Sequence, residues 1–480
     1  MKCRKKSEWQ FTKAIFLRHF SLLVTSGLLI FNCACFASRV VHLPEEINDS
    51  SNSMLENITG SYHYEGGKII ITQNRDAFFF YDSAHADYRK LERTGQGIYT
   101  AGPALLKRSP IALNLKFEQT GVGGRTTLTI SRIGRPALVA QRTLSRRKQE
   151  VVFYNGKIKL VGDLYLPAKA KKVPAVVLVH GSGGQDRNGY LNLMVLMAES
   201  FADAGIAVLT YDKRGVGSSK GKWETAGFDD LAGDVVAAFD FLKSQDDVRA
   251  DSIGLWGSSQ AGWVMAQAVH RQPNFSFVIA VSAAGMGITP AEQNLYYLES
   301  EMKLRGFDDD AITRVIAANN GLYDFVRKKI SSSQYEEVLR KNRSSQGSGW
   351  LPPSPESIDW ASRDEWFLAL DIDFDASRIW KNYGGRIYAV FGENDVLTPT
   401  DRIVSKLKGT ISERNSNNLK IEIVPKGNHI LMTNAGDVAS TDFAESNKFG
   451  AGIVEKMIEW TSRVPTSKLS QSENTIEGSQ

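Results

Sequence analysis

The sequence predicts a doubly wound α/β domain on a mostly parallel sheet, carrying a cap insertion and preceded by a small β-rich domain. Three observations lead there. From about residue 150 onward, short apolar runs alternate with long amphipathic stretches, as strands and helices do in α/β folds. Several of those runs are continuously apolar, as expected of strands with helices on both faces. Ahead of residue 150, short β-branched and aromatic runs are broken by Gly, Asn, Asp and Pro, which is the texture of packed short strands. A chain of 480 residues has room for two or three folded units, and 42% hydrophobic with 23% charged residues is a globular composition.

The chain opens on the basic "MKCRKKSEWQFTKAIFLRHF" and runs into the apolar "SLLVTSGLLIFNCACFAS", residues 21–38. Charge, then an apolar stretch, then small residues predict a signal peptide over 1–37, cut after Ala37 with Cys35 three residues before the cut. The apolar stretch is interrupted by Ser, Thr and Asn and falls short of the roughly 20 residues of a spanning helix; an uncleaved anchor is the alternative. Cys3, Cys33 and Cys35 are the three cysteines and all lie in this leader, so a processed chain would hold neither a disulfide nor a thiolate metal site. A lipid anchor on Cys33 or Cys35 is disfavoured by the preceding "IFN" and "NCA". Export to the periplasm or the exterior, with no membrane association after signal removal, is the expectation. The net charge of +5 comes partly from the leader, and no basic stripe interleaved with aromatics points to nucleic acid.

Residues 38–57 are polar and read as a linker, and residues 58–148 as the β-rich domain. Within it "GVGGR" (121–125) leads into the strand-like "TTLTI", so it reads as a loop and not a nucleotide site. The α/β domain spans 149–465, starting with two strands around a turn at Asn155 and Gly156. Strands are then expected at 173–180, 206–212, 252–257, 275–283, 386–392 and 419–425. Helices are expected at 191–205, stopped by Gly205, and at 228–245, where positions 228, 231, 235, 239 and 242 share one face. Residues 286–376 interrupt the alternation and read as a cap at the carboxyl edge of the strands, where ligands of such sheets collect. The polar tail 466–480 reads as disordered.

Chemistry concentrates in "IGLWGSSQAGW", residues 253–263. A nucleophile at a sharp strand-to-helix turn needs small residues two before and two after it. Ser259 has Gly257 and Ala261 there, whereas Ser258 has Trp256, so Ser259 is the nucleophile candidate and Ser258 a spacer. Its base must lie downstream. His270 ends the following helix, about three turns away, which leaves His429 in "VPKGNHILM". The orienting acid should follow the preceding strand, where "VFGENDVLTP" offers Asp395, with Glu393 as fallback; the cluster Asp371, Asp373 and Asp375 reads as a solvated cap edge. Oxyanion donors are expected from the backbone N–H of Gln260 and, in the Gly-rich "VHGSGGQDRN", of Ser182, with His180 structural. The glycines of "VLTYDKRGVGSSKG" are not followed by an apolar helix, so no dinucleotide is implied, and no metal-ligand motif occurs. No cofactor and no metal are expected.

Together, "LVHGSGGQDRN", "YDKRGVGSS", "GSSQAG", "GENDVLTP" and "GNH" resemble the α/β-hydrolase superfamily, in particular exported bacterial carboxylesterases of the dienelactone-hydrolase and prolyl-oligopeptidase-like branch with a β-rich N-terminal domain. The resemblance covers about 150–463 and more loosely 58–148. It implies a cofactor-free serine hydrolase acting on a small-molecule ester through Ser259, Asp395 and His429, with the Ser182 and Gln260 amides as oxyanion hole. Cap aromatics Trp350, Trp360, Trp366, Tyr296 and Tyr297 would suit an apolar acyl or aryl group, or else form the cap's own core. A peptidase or thioesterase of the same fold is the alternative chemistry, and a non-catalytic binding protein on a hydrolase scaffold the alternative class.

Overall fold

In "GKIIITQN" and "AFFFYD" apolar residues follow one another without alternation, which a strand tolerates only when both faces are covered. The computed structural model describes residues 58–462 save 120–125, 144–145, 170, 344–346, 359–370, 412–416 and 435–442, and it shows both covers. Strands β1 (Gly60–Tyr64), β2 (Gly67–Asn74), β3 (Ala77–Asp82), β4 (Asp87–Gly95), β5 (Ile98–Ala101), β6 (Leu113–Gln119), β7 (Thr126–Arg132) and β8 (Leu138–Thr143) pair each with the next, all antiparallel. β8 returns to pair with β1, so the sheet closes into a barrel. Ile69, Ile71 and Phe80 point inside with Tyr62, Leu91, Phe117 and Leu128, filling a barrel of this size with side chains. Ile70, Phe79 and Tyr81 point outside and pack against Met197, Phe201, Met432 and Phe449.

The second sheet begins with the hairpin β9 (Arg146–Asn155) and β10 (Ile158–Pro167), turning at Gly156 with φ 56°. β11 (Val173–Val179), β12 (Ala207–Tyr211), β13 (Val248–Ser258), β14 (Phe277–Val281), β15 (Arg386–Gly392) and β16 (Leu419–Val424) complete it. The spatial order is β16-β15-β14-β13-β11-β12-β10-β9; β10 runs antiparallel to both neighbours and the other pairs are parallel. β13 starts earlier than its apolar run because Val248 already pairs with Val173. Helix α1 (Leu193–Asp203) covers the barrel-facing side of the sheet; α2 (Phe228–Lys243) and α3 (Ala261–Arg271) cover the other.

The cap holds α4 (Pro290–Leu304), α5 (Asp309–Val326) and α6 (Ser332–Asn342). Each has a sequence-encoded start: Thr289, Asp308 and Ser331 accept hydrogen bonds from the backbone N–H of Glu292, Ala311 and Gln334. Trp350 is buried with Leu298, Met302 and Val315, under the Arg305 guanidinium, and so belongs to the cap's own core. Asp373 pairs with Arg327, closing the cap's edge, and α7 (Ser377–Asn382) leads back to the sheet. α8 (Thr400–Thr410) follows β15 on the same side as α2, and α9 (Ile453–Ser462) joins α1 beside the barrel.

One connection departs from two self-contained domains. Immediately beyond β16, the short strands β17 (Met432–Asn434) and β18 (Ser446–Phe449) pair with each other, and β18 pairs with β4 at Lys448 and Asp87. The barrel's sheet is thus extended by the far end of the α/β domain. The expected leader, linker, polar tail and "GVGGR" loop, and the cap residues Trp360 and Trp366, lie outside the described residues.

Candidate active site

Ser259 follows the last residue of β13 and precedes α3, with φ 58°, in the left-handed region that side chains avoid. Its amide donates to the Val281 carbonyl at 3.1 Å, tying the turn to the end of β14. Small neighbours make the turn possible: a methyl group on Gly257 would lie 2.6 Å from Ala261 Cβ, and one on Gly262 would lie 2.8 Å from the Gly285 amide. The glycine two places before Ser259 and the one three after it are therefore demanded by packing, and Ser258 remains in the strand, paired across to Val281.

Two further strand ends bring the acid and the imidazole together. His429 Nδ1 and Asp395 Oδ2 are 2.8 Å apart, the carboxylate side chain fully buried and the imidazole nearly so. Asp395 Oδ1 accepts from the amides of Leu397 at 2.8 Å and Thr398 at 3.0 Å, and Thr398 Oγ1 donates to Oδ2. A carboxylate so surrounded acts as acceptor throughout, so the imidazole hydrogen sits on Nδ1 and the lone pair on Nε2. Glu393 is exposed and instead accepts from the Lys426 amide at 2.7 Å, closing the turn after β16. The loops interlock at Gly392, where a methyl group would overlap the carbonyl oxygens of Gly427 and Asn428. Asn428 stiffens the histidine loop: Nδ2 donates to Asn434 and Ser446, and Oδ1 accepts from the amides of Ile430 and Met432.

The turn after β11 lies against the serine. A methyl group on Gly181 would be 3.6 Å from Ser259 Cβ and 3.3 Å from the Ser258 carbonyl oxygen. Among the described residues, no protein acceptor is paired with the amides of Ser182 or Gln260. His180, at the base of this turn, stacks edge-on to Tyr211, and burial together with the Lys213 ammonium pulls its pKa down to about 3, so it stays neutral. The glycine-spaced "YDKRGVGSS" folds around Asp212, whose carboxylate accepts from the amides of Arg187 and Ser218 and from the Arg187 guanidinium. The cap reaches the site through Tyr296, whose hydroxyl donates to the Asp395 carbonyl at 3.0 Å. Among the described residues, no group of His, Cys, Asp and Glu is arranged to hold a metal ion, and no helix is long and apolar enough to cross a membrane.

Residues 155–300, from the first hairpin through the serine turn into the cap, match the family model described as X-Pro dipeptidyl-peptidase (S15 family). Over this stretch the chain resembles the α/β-hydrolase superfamily. The chain is 31% identical over 153 residues to a Bacillus subtilis protein named as a hydrolase, YtaP, covering 27% of this chain and 51% of that one. It is 29% identical over 134 residues to an uncharacterized protein of Rickettsia prowazekii, covering 27% and 54%. The chain thus spans about half the length of these curated relatives. Among solved structures, a dienelactone hydrolase from Anabaena variabilis aligns with 14% identity, TM-score 0.37 and 66% and 97% of the two chains. The Butyrivibrio proteoclasticus protein Est1E with bound ferulic acid aligns with 18% identity, TM-score 0.39 and 65% and 96%.

Sequence reasoning did not single out Thr398, Asn428 or Lys213. Thr398 and Asn428 each sit within three residues of a candidate side chain, in "DVLTP" and "GNH", and a search for polar residues able to bond a loop back on itself would have found them.

Proposed function

We propose that this hydrolase cleaves carboxylic esters of small molecules through an acyl-enzyme on Ser259. The observation that carries the reading is the bond of 2.8 Å between His429 Nδ1 and Asp395 Oδ2 at the carboxyl edge of the same sheet that presents a serine held at φ 58°. In this scheme His429 Nε2 takes the Ser259 proton as the hydroxyl attacks the ester carbonyl, and returns it to the departing alcohol; water then repeats the cycle on the acyl-enzyme. Asp395 holds the imidazole and stabilises its protonated form. The amides of Ser182 and Gln260 receive the oxyanion, the latter at the start of α3, where the helix dipole favours negative charge. The test is hydrolysis of short p-nitrophenyl esters and labelling by a fluorophosphonate probe, with Ser259→Ala as control. Equal turnover by the two proteins, or no labelling of the unaltered chain, would defeat the proposal.

A peptidase reading is favoured by the match of residues 155–300 to the X-Pro dipeptidyl-peptidase family. Xaa-Pro-p-nitroanilides, assayed beside the esters, separate the two: preferential release of nitroaniline supports the peptidase. We also propose export, supported by the basic and then apolar order of residues 1–37. Fractionation of the expressing cell tests it, and full-length protein retained in the cytosol would remove it.

A further inference from the structure

We propose that Lys213 is a positioning residue that aims the backbone amides of the turn after β11 at the oxyanion, a reading that rests on the acyl-enzyme chemistry proposed above. Lys213 follows β12 and is buried, and its Nζ donates to two carbonyls of that turn, Gly181 and Gly183, at 2.7 Å each. Gln185 Nε2 donates at 2.8 Å to the carbonyl between them, that of Ser182. Three successive carbonyls are therefore pinned to donors within the protein. In a planar trans peptide the N–H points opposite to the C=O of the same unit. Holding the Gly181 carbonyl on Lys213 thus turns the Ser182 amide away from Lys213, and the Gly183 carbonyl does the same for Gly184.

The direction matters because Gly181 lies against Ser259 itself. Gly183 takes a positive φ of 76°, the alternation by which consecutive amides converge on one anion. The Gln185 carbonyl in turn accepts from the Lys213 amide at 3.1 Å, so one residue grips the turn from its backbone and from its side chain. A buried lysine is costly, and a methionine would fill the same space. Burial draws the Lys213 pKa down to about 7, with Asp234 pulling the other way; the neutral His180 ring and the ion-paired Asp212, just past the ends of β11 and β12, are its titratable neighbours there. In either protonation state the nitrogen retains hydrogens for both carbonyls.

The test uses the full chain, a p-nitrophenyl ester and a trifluoromethyl ketone, which forms a tetrahedral adduct needing the oxyanion donors. Ser259→Ala is run alongside: if it keeps wild-type turnover, the acyl-enzyme reading fails, whatever Lys213 does. With that control inactive, Lys213→Met is expected to lower kcat by about 10²-fold per titrated active site and to weaken ketone binding by a similar factor, with KM changed less than about threefold. Lys213→Gln, which keeps two N–H donors, should recover part of both. Unchanged kcat and ketone affinity in folded Lys213→Met overturns the proposal, even if thermal stability falls. A crystal structure of the wild-type ketone adduct decides the matter should neither variant fold. An adduct oxygen within about 3.2 Å of the Ser182 nitrogen, with Lys213 still on Gly181, supports the proposal, and one out of reach of that nitrogen overturns it.

Discussion

Replacing Ser259 by glycine should make the protein more stable than replacing it by alanine, although both lose the hydroxyl. The reason is the backbone: at φ 58° any residue with a Cβ is strained, by about 1–2 kcal/mol. Glycine removes that strain but gives the unfolded chain more freedom, which returns about 0.5–1 kcal/mol. The mid-range values leave Ser259→Gly ahead of Ser259→Ala by about 0.75 kcal/mol. The turn does not depend on the serine side chain for its own hold, since the amide of residue 259 keeps its bond to Val281 in either variant. Urea unfolding of the two variants under identical conditions measures the difference, with ester turnover confirming that both are inactive. An alanine variant as stable as the glycine variant, or more so, would refute the argument that the turn stores strain in order to present its side chain.

Three more outcomes follow from the same geometry. Asn428→Ala removes four hydrogen bonds from the histidine loop and should cost about 1–3 kcal/mol while lowering kcat more than it alters KM, read by steady-state kinetics on an ester. Gly392→Ala forces a methyl group onto the Gly427 and Asn428 carbonyls; circular dichroism should show a retained fold, and turnover should fall as the loops bearing Asp395 and His429 are pushed apart. His180 has a folded pKa of about 3 against 6.5 for the free side chain, so the unfolded chain binds the extra proton and stability is lost as pH falls below 6.5. Between pH 6.5 and 4 the unfolding free energy should drop by about 3 kcal/mol more in the wild type than in His180→Gln, and equal slopes would contradict the burial argument.

Much of the second domain was legible because its information is local. The continuous runs "VPAVVLV", "AVLTY" and "FVIAV" are strands with helices on both faces, and the glycine and alanine around Ser259 identify the turn by the space they leave. His429 could be found because only two histidines follow Ser259 and one is on the wrong helix. The sequence favours Asp395 over Glu393, but the reason visible in the fold, that the chain bends back through Thr398 so that the Asp395 carboxylate meets the ring, is spatial and not local. The barrel was legible as strands but not as a closed object, because closure depends on β8 finding β1 across the whole domain. β17 and β18 are three and four residues long with no apolar pattern, too short for periodicity to register. Lys213 was visible in "YDKRGVGSS", but its importance comes from carbonyls some thirty residues earlier, a relation carried only by the sheet.

The strand pair that follows His429 bears on how the molecule can be divided. Its backbone reaches the barrel at several points: Ser446 and Ala444 accept from the amides of Leu105 and Leu106, and the Phe449 amide donates to Ala86. During synthesis, the part of β4 that meets β18 leaves the ribosome more than 300 residues ahead of its neighbour, so that stretch of sheet waits for all the intervening chain before it is covered. Cutting the chain at the junction near residue 145 would therefore yield no clean pair of fragments: one would keep an open seam, and the other would carry an orphaned ribbon tethered to the loop that bears His429. A barrel wired in this way behaves less like a bead on a string than like a keystone, removable only at the expense of the arch.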